Sequence, residues 1–144
     1  MYRFEKINED TYKLITDDKE FTFTRTIDLV RELQKVDMYT TSYIADMLAE
    51  RGETFENTKL IVQHQEGGKT IVDESNLNAL KEQARNLATY DVMNNIFNKI
   101  FGVGYIELIR TLKIDVNNTN EVQKFVTDIT NVLISGIKDN TPRE

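Results

Sequence analysis

The sequence predicts a mainly α-helical protein of the α+β class, in which a small N-terminal antiparallel β-meander packs on a body of about five helices. Apolar and polar side chains alternate in the first part of the chain, which is the period-2 pattern of strands. Further along, apolar residues recur every three or four positions, as on amphipathic helices. With 144 residues, of which 40% are hydrophobic, the chain is long enough to bury one core.

The N-terminal segment is predicted to form two or three strands. Phe21 and Phe23 fall on one face of a strand, and the threonines that follow each of them fall on the other. Residues 8–10 and 16–19 have the polar composition of turns. Because such a meander is only marginally stable alone, we expect it to pack against the helices.

Two helices are predicted next. The first begins after Thr26, whose hydroxyl can cap it, and ends near Lys35. The second runs from about Thr41 to Arg51, and Gly52 fits the left-handed position that ends many helices.

Residues 53–72 allow two interpretations. The β-branched runs at 60–62 and 70–72 flank a Gly-Gly pair, which favours a hairpin or an irregular loop. The alternative is a helix from Thr54 to about Gln65, followed by a flexible glycine pair.

The second half of the chain is predicted to be helical. A long helix runs from Asn76 to about Phe101, and Gly102 and Gly104 break it. A shorter helix follows, and a last helix begins near Thr119 or Asn120. Ile137 is assigned to the apolar band of this last helix. The predicted organisation is therefore a meander over 1–25, a helical domain over 26–138 and a flexible polar tail over 139–144.

Composition argues against several classes of protein. The 24 acidic residues outnumber the 18 basic ones, and the basic residues are scattered, so a nucleic-acid-binding surface is disfavoured. The absence of cysteine excludes disulfides and thiolate metal sites. No apolar run approaches the roughly 18 residues of a membrane helix, and the N-terminus lacks the apolar core of a signal peptide. We expect a soluble, intracellular protein that does not bind membranes.

The residues of the sequence predict no enzyme, metal site or cofactor. His64 is the one histidine, and we interpret it as a surface loop residue because no partner stands at a known spacing. The acidic pairs Asp17-Asp18 and Asp73-Glu74 suit a turn and a helix N-terminus. Gly102-Val103-Gly104 follows a helix rather than a strand, so it predicts a helix break or hinge and not a phosphate loop.

Two apolar faces are wider than one neighbouring helix would cover, although most of each face is expected to be core. A surplus face of this kind suits self-association or the binding of an apolar partner segment. Beside the glycine break, the candidate residues are Phe97, Ile100, Phe101, Tyr105 and Ile106. On the last helix, the candidate residues are Phe125, Ile129, Leu133 and Ile134.

The layout resembles that of the small tail assembly chaperones of long-tailed phages, above all those of phages that infect Gram-positive hosts such as lactococci. The resemblance lies in a meander ending in residues 20–26, a Leu/Val helix after it, and a long helix that breaks at glycines. It covers most of the chain in layout and rests on no fingerprint residue.

The resemblance implies a concrete role. Such chaperones bind the long, hydrophobic tape measure protein in the host cytoplasm, keep it soluble during tail morphogenesis, and are absent from the mature virion. They often self-associate, so a homo-oligomer is expected, and many exist also as a longer form made by ribosomal frameshifting.

Two other classes remain open. One is a structural component of the phage particle, such as a head–tail connector or a tail terminator, which stays in the virion. The other is a small DNA-linked regulator, which would need a basic recognition helix that this sequence does not offer.

Overall fold

The computed structural model describes residues 1–136, and in that range the chain forms five strands and four α-helices. The strands are β1 (Tyr2–Lys6), β2 (Thr11–Thr16), β3 (Glu20–Thr24), β4 (Val62–Glu66) and β5 (Lys69–Asp73). The helices are α1 (Ile27–Glu50), α2 (Ser75–Phe101), α3 (Tyr105–Thr111) and α4 (Thr119–Ser135). The predicted α+β class with an N-terminal antiparallel sheet is confirmed. A second sheet, formed by β4 and β5, adds to it.

The prediction of about five helices is corrected to four in this range, because the first two predicted helices are one helix, α1. No glycine or proline stands between Lys35 and Thr41, so nothing forces the helix to end there. The hydroxyl of Thr40 donates to the carbonyl of Val36 (2.6 Å), and that of Thr41 donates to the carbonyl of Asp37 (3.1 Å). These polar side chains are therefore accommodated inside the helix.

The chain divides into two compact units. The terminal unit contains residues 1–33 and the described residues from 92 on, and the central unit contains residues 34–91. The predicted boundary after residue 25 is not where this division falls, since α1 and α2 each contribute to both units. The predicted tail over 139–144, the end of the predicted helical domain and Ile137 lie outside the described residues.

The three-stranded sheet of the terminal unit has the order β1-β2-β3, with antiparallel neighbours. Its aromatic side chains join those of α2, α3 and α4 in one connected cluster of nine rings, with centroids 5.1 to 6.3 Å apart. Such ring pairs contribute about 0.5–1.5 kcal/mol each beyond their area burial. The rings belong to Tyr2, Phe4, Tyr12, Phe21, Phe23, Phe97, Phe101, Tyr105 and Phe125.

The break between α2 and α3 is held by a side chain as well as by glycines. Gly102 has φ +74°, which ends α2 in the left-handed region. Asn94 then accepts the backbone N–H of Tyr105 on its Oδ1 at 2.8 Å, at the start of α3. A Cβ at Gly104 would lie 3.0 Å from the same Oδ1, so glycine makes room for this contact. The predicted helix break is confirmed.

The central unit has a smaller core. Ile44 and Leu48 of α1 pack with Ala84 of α2, and the half-buried side chains around them include Leu60 and Leu80. Gly67 and Gly68 have φ of +59° and +79°, as a two-residue type I′ turn requires, and they connect β4 to β5. The hairpin interpretation of residues 53–72 is therefore confirmed over Val62–Asp73.

Candidate partner-binding surface

Four of the nine predicted partner-binding residues are fully buried in the terminal unit. Phe125 illustrates the reason, because its ring packs edge-on against Tyr2 at 5.1 Å and stacks on Phe4 at 6.3 Å. The meander thus covers the face that the helical pattern alone left without a neighbour. We therefore assign this group to the core rather than to partner binding. Its members are Phe97, Phe125, Ile129 and Leu133.

The other predicted residues differ in accessibility. Phe101 is half-buried between Phe21 and Phe23, with ring centroids 5.3 Å from each. Tyr105 stacks on Phe97 at 5.7 Å. Ile134 is 51% exposed on α4, and its role as a partner contact stays a prediction. Two further half-buried residues complete the set, Ile100 and Ile106.

The central unit buries fewer apolar side chains than the terminal unit and exposes more large ones. It holds only five of the 21 buried apolar residues of the described chain, and two of these are alanines. It holds seven of the twelve exposed large apolar side chains. The five buried residues are Ile44, Leu48, Leu77, Ala84 and Ala88. The seven exposed residues are Met38, Phe55, Val62, Ile71, Val72, Leu87 and Tyr90.

Leu87 and Tyr90 form the helical part of this exposed set. They stand three residues apart on α2, so their side chains are neighbours on its surface, and they are 45% and 39% exposed. The core side of the same helix is defined by Ala84 and Ala88, which are fully buried. On this helix, small apolar residues face the core and large ones face solvent, although large apolar side chains gain more free energy from burial. This arrangement suits contact with a partner.

Polar contacts fix the two helical segments of the central unit. The Tyr43 hydroxyl donates to the Asp91 carboxylate, and this hydrogen bond raises the pKa of Tyr43. Arg85 pairs with Asp37 at 2.9 Å, with both side chains exposed. The surface formed by α2 is therefore held in place from the neighbouring segment of α1.

Glu53 organises the loop between α1 and the hairpin. Its Oε1 accepts the backbone N–H of Lys59 (2.9 Å) and the hydroxyl of Thr58 (2.8 Å), and Arg51 donates to its Oε2 (3.2 Å). The bond from Lys59, followed by that from Thr58, lowers the pKa of Glu53. The loop held in this way brings Leu60 against the core of the unit.

The β4–β5 hairpin is exposed on both faces. All of its strand residues are exposed, including Val62, Ile71 and Val72. In the antiparallel register, His64 lies opposite Ile71, and Gln63 lies opposite Val72. Because directly opposite residues share a face, each face carries at least one β-branched side chain in solvent.

Within residues 1–136, no group of three or more histidine, aspartate or glutamate side chains is placed to hold a metal ion. His64 is exposed, and its Nε2 lies 3.5 Å from a carboxylate oxygen of Glu66. No helix in the described chain is both long and apolar enough to cross a membrane.

The sequence indicates the small core of the central unit through side-chain size rather than through helical periodicity. Its buried positions on α2 are largely alanine, and the hairpin has five-residue strands with no third strand nearby in sequence. Both features mean that little apolar surface can be buried locally. The small side-chain volume at its core positions therefore predicts that this unit leaves apolar side chains exposed.

Comparison of the chain with protein-family models, with curated proteins and with solved structures found no match in any of the three.

Proposed function

We propose that this chain is a binding protein without catalytic activity, and specifically a tail assembly chaperone that holds the tape measure protein of a long-tailed phage in soluble form. The observation that carries the binding role is the imbalance of the central unit, which exposes seven large apolar side chains and buries five apolar ones. Leu87 and Tyr90 of this set are neighbours on α2, and adjoining exposed apolar side chains mark sites of contact with other proteins.

The chemistry of the surface suits an apolar, helical partner. Leu87 and Tyr90 offer an aliphatic and an aromatic side chain on neighbouring positions of one rigid helix. An amphipathic segment can bury its apolar face against such a pair. The tape measure protein, which is long, hydrophobic and helical in the resembled family, is a partner of this kind.

The charge of the chain fits a carrier of insoluble material. Its net charge of −6 keeps the exterior well hydrated. A protein that covers an aggregation-prone partner stoichiometrically needs such an exterior, together with apolar contact residues, and needs no reactive group.

Co-expression with the tape measure protein of the same phage tests the proposal. We expect the tape measure protein to move from the pellet to the soluble fraction and to co-purify with this chain. If it stays equally insoluble in both cases, the chaperone role fails. Mass spectrometry of purified virions separates the alternative, because a head–tail connector or tail terminator is found in the particle and the chaperone is not.

A further inference from the structure

The outer edge of β5 is uncovered in the described chain. Among residues 1–136 the second sheet has two strands, so β5 pairs with β4 on one side and has no neighbouring strand on the other. All five of its residues are exposed. A free strand edge offers a row of backbone donors and acceptors to another strand, and a two-stranded hairpin alone is marginally stable in water.

The hairpin register determines which backbone groups point outward. The turn has two residues, Gly67 and Gly68, so Glu66 and Lys69 are the first pair to exchange backbone hydrogen bonds. Hydrogen-bonded and non-hydrogen-bonded pairs then alternate along the ladder. The backbone N–H and C=O groups of Thr70 and Val72 therefore point away from β4.

The sequence of β5 is complementary to itself when two copies run antiparallel. The strand reads Lys69-Thr70-Ile71-Val72-Asp73, with a cation at one end and an anion at the other. Pairing centred on Ile71 places Lys69 opposite Asp73 of a second copy at both ends. It also places Thr70 opposite Val72 of the second copy, so the outward backbone groups face each other as a hydrogen-bonded pair.

The other edge of the hairpin lacks this complementarity. Antiparallel pairing of two β4 strands, centred on His64, would place Val62 opposite Glu66 of the second copy. A branched apolar side chain would then face a carboxylate at both ends, and no cation would oppose the anion. The charge pattern therefore distinguishes β5 as the self-pairing edge.

We propose that β5 pairs antiparallel with β5 of a second copy of this chain, which joins the two hairpins into one four-stranded sheet across a two-fold axis. In that sheet the two Ile71 side chains contact each other on one face. The Val72 side chains lie on the other face, each beside Thr70 of the second copy. The contact is isologous, because the same residues contribute from both copies, and it closes at two chains.

Asp73 can pair with Lys69 of the second copy while it still accepts hydrogen bonds from Ser75 at the start of α2. Its Oδ1 accepts the backbone N–H of Ser75 at 2.9 Å and the hydroxyl of Ser75 at 2.6 Å, which leaves Oδ2 for a lysine of the second copy. The hydrogen bonds from the Ser75 hydroxyl and N–H lower the pKa of Asp73, so the carboxylate is ionised at neutral pH. Lys69 makes the complementary cation at the opposite end of the strand.

Charge exchange in the purified full-length chain tests the register. We expect sedimentation velocity to find a dimer, and we expect Lys69→Asp to weaken it about tenfold or more, because both end pairs become repulsive. Asp73→Lys alone should do the same. An equimolar mixture of the two variants should restore dimers, since each Asp of one copy then faces a Lys of the other. Lys19→Asp, an exposed change of equal charge in the turn before β3, is the control and should leave the dimer intact.

A proline variant tests the edge independently of charge. Val72→Pro removes an N–H that points away from β4, so the hairpin keeps its own ladder while the outer edge is blocked. We expect the dimer to be lost with little change in the thermal midpoint of the remaining monomer. Three results would each overturn the proposal. The first is a wild-type chain that stays monomeric up to about 1 mM. The others are a dimer that Lys69→Asp and Val72→Pro leave unchanged, and a mixture of charge variants that fails to restore dimers. The assay contains no tape measure protein, so its outcome is separate from that of the chaperone test.

Discussion

Arg25 and Leu133 are 108 positions apart in sequence, and the guanidinium Nε of Arg25 donates to the backbone carbonyl of Leu133 at 3.1 Å. The same side chain donates from a terminal nitrogen to the carbonyl of Ile134 at 2.7 Å. These carbonyls lie in the last turn of α4, and the carbonyls of a last helical turn favour side-chain donors and cations. The residue that follows β3 thus caps the last described helix and joins it to the sheet.

Replacing Arg25 with alanine should lower the free energy of unfolding by about 2 kcal/mol, because two charge-assisted hydrogen bonds are lost and carbonyls at a partly buried helix end lose their donors. Urea denaturation followed by circular dichroism measures the change. Arg31→Ala is the matched control, since Arg31 is exposed and makes a long ion pair of 3.9 Å with Asp28. That control should change stability by no more than about 0.5 kcal/mol. Equal effects of the two variants would contradict the capping role.

The Tyr2 hydroxyl donates to Asp128 at 2.6 Å, and Lys124 lies over the Tyr2 ring at 5.6 Å. Burial, followed by the hydrogen bond to Asp128, raises the pKa of Tyr2 above its ordinary value of 10.0. The phenol therefore stays protonated in the folded chain at a pH where the unfolded chain ionises. Its contribution to stability is present in full below about pH 10 and declines as the pH rises above that value.

Tyr2→Phe should therefore reduce stability by about 1 kcal/mol at pH 8, where the hydrogen bond is intact. At pH 10.5 the difference between the two proteins should be smaller, because ionisation stabilises the unfolded wild-type chain and not the variant. Unfolding of both proteins in urea at the two pH values measures this. A gap that is constant or widens with pH would contradict the assigned bond. In the Asp128→Asn background, the Tyr2→Phe change should have a reduced effect.

Gly136 and Gly52 have nearly the same backbone φ angle but different surroundings. Their φ angles are +72° and +71°. A Cβ at Gly136 would lie 2.5 Å from the Tyr12 hydroxyl and 3.2 Å from Arg25, whereas a Cβ at Gly52 would meet nothing within 4 Å. Gly52→Ala should cost about 1 kcal/mol for the left-handed backbone alone.

Gly136→Ala should cost about 1–3 kcal/mol more than Gly52→Ala, because a tightly packed hydroxyl and guanidinium must shift in addition. Differential scanning calorimetry of the two variants measures the difference directly. If both glycines tolerate alanine equally, the close approach at Gly136 does not constrain the fold.

The class of the fold could be predicted because each element carries its own local signal. The alternation around Phe21 and Phe23 and the Gly67-Gly68 pair between β-branched runs identify strands and a hairpin without reference to distant contacts. The continuity of α1 could not be predicted in the same way. Val36, Asp37, Tyr39 and the two threonines at 40 and 41 are weaker helix formers. The threonine hydroxyls that bond back to the helix become visible only in three dimensions.

The candidate surface was harder to predict than the fold. Periodicity marked Phe97 and Phe125 as apolar face residues, yet it could not reveal that the meander lies over them. A long-range contact of this kind leaves no trace in a helix's own pattern. Leu87 follows Leu80 and Ala84 at helical spacing on α2, and its exposure follows from the small core of the central unit.

Leu87→Glu should weaken capture of the tape measure protein about tenfold without lowering the thermal midpoint by more than a degree or two, because the side chain is 45% exposed and belongs to the proposed contact surface. Co-purification from cells that express both proteins, together with thermal melting of the variant alone, gives the two readouts. Ile27→Glu is the control, since Ile27 is 68% exposed in the terminal unit and should leave capture unchanged. The same assay on Ile134→Glu tests the exposed member of the predicted last-helix face. Phe101→Glu should instead lower the melting midpoint, because its ring packs against Phe21 and Phe23. Undiminished capture by Leu87→Glu would place the contact surface outside α2.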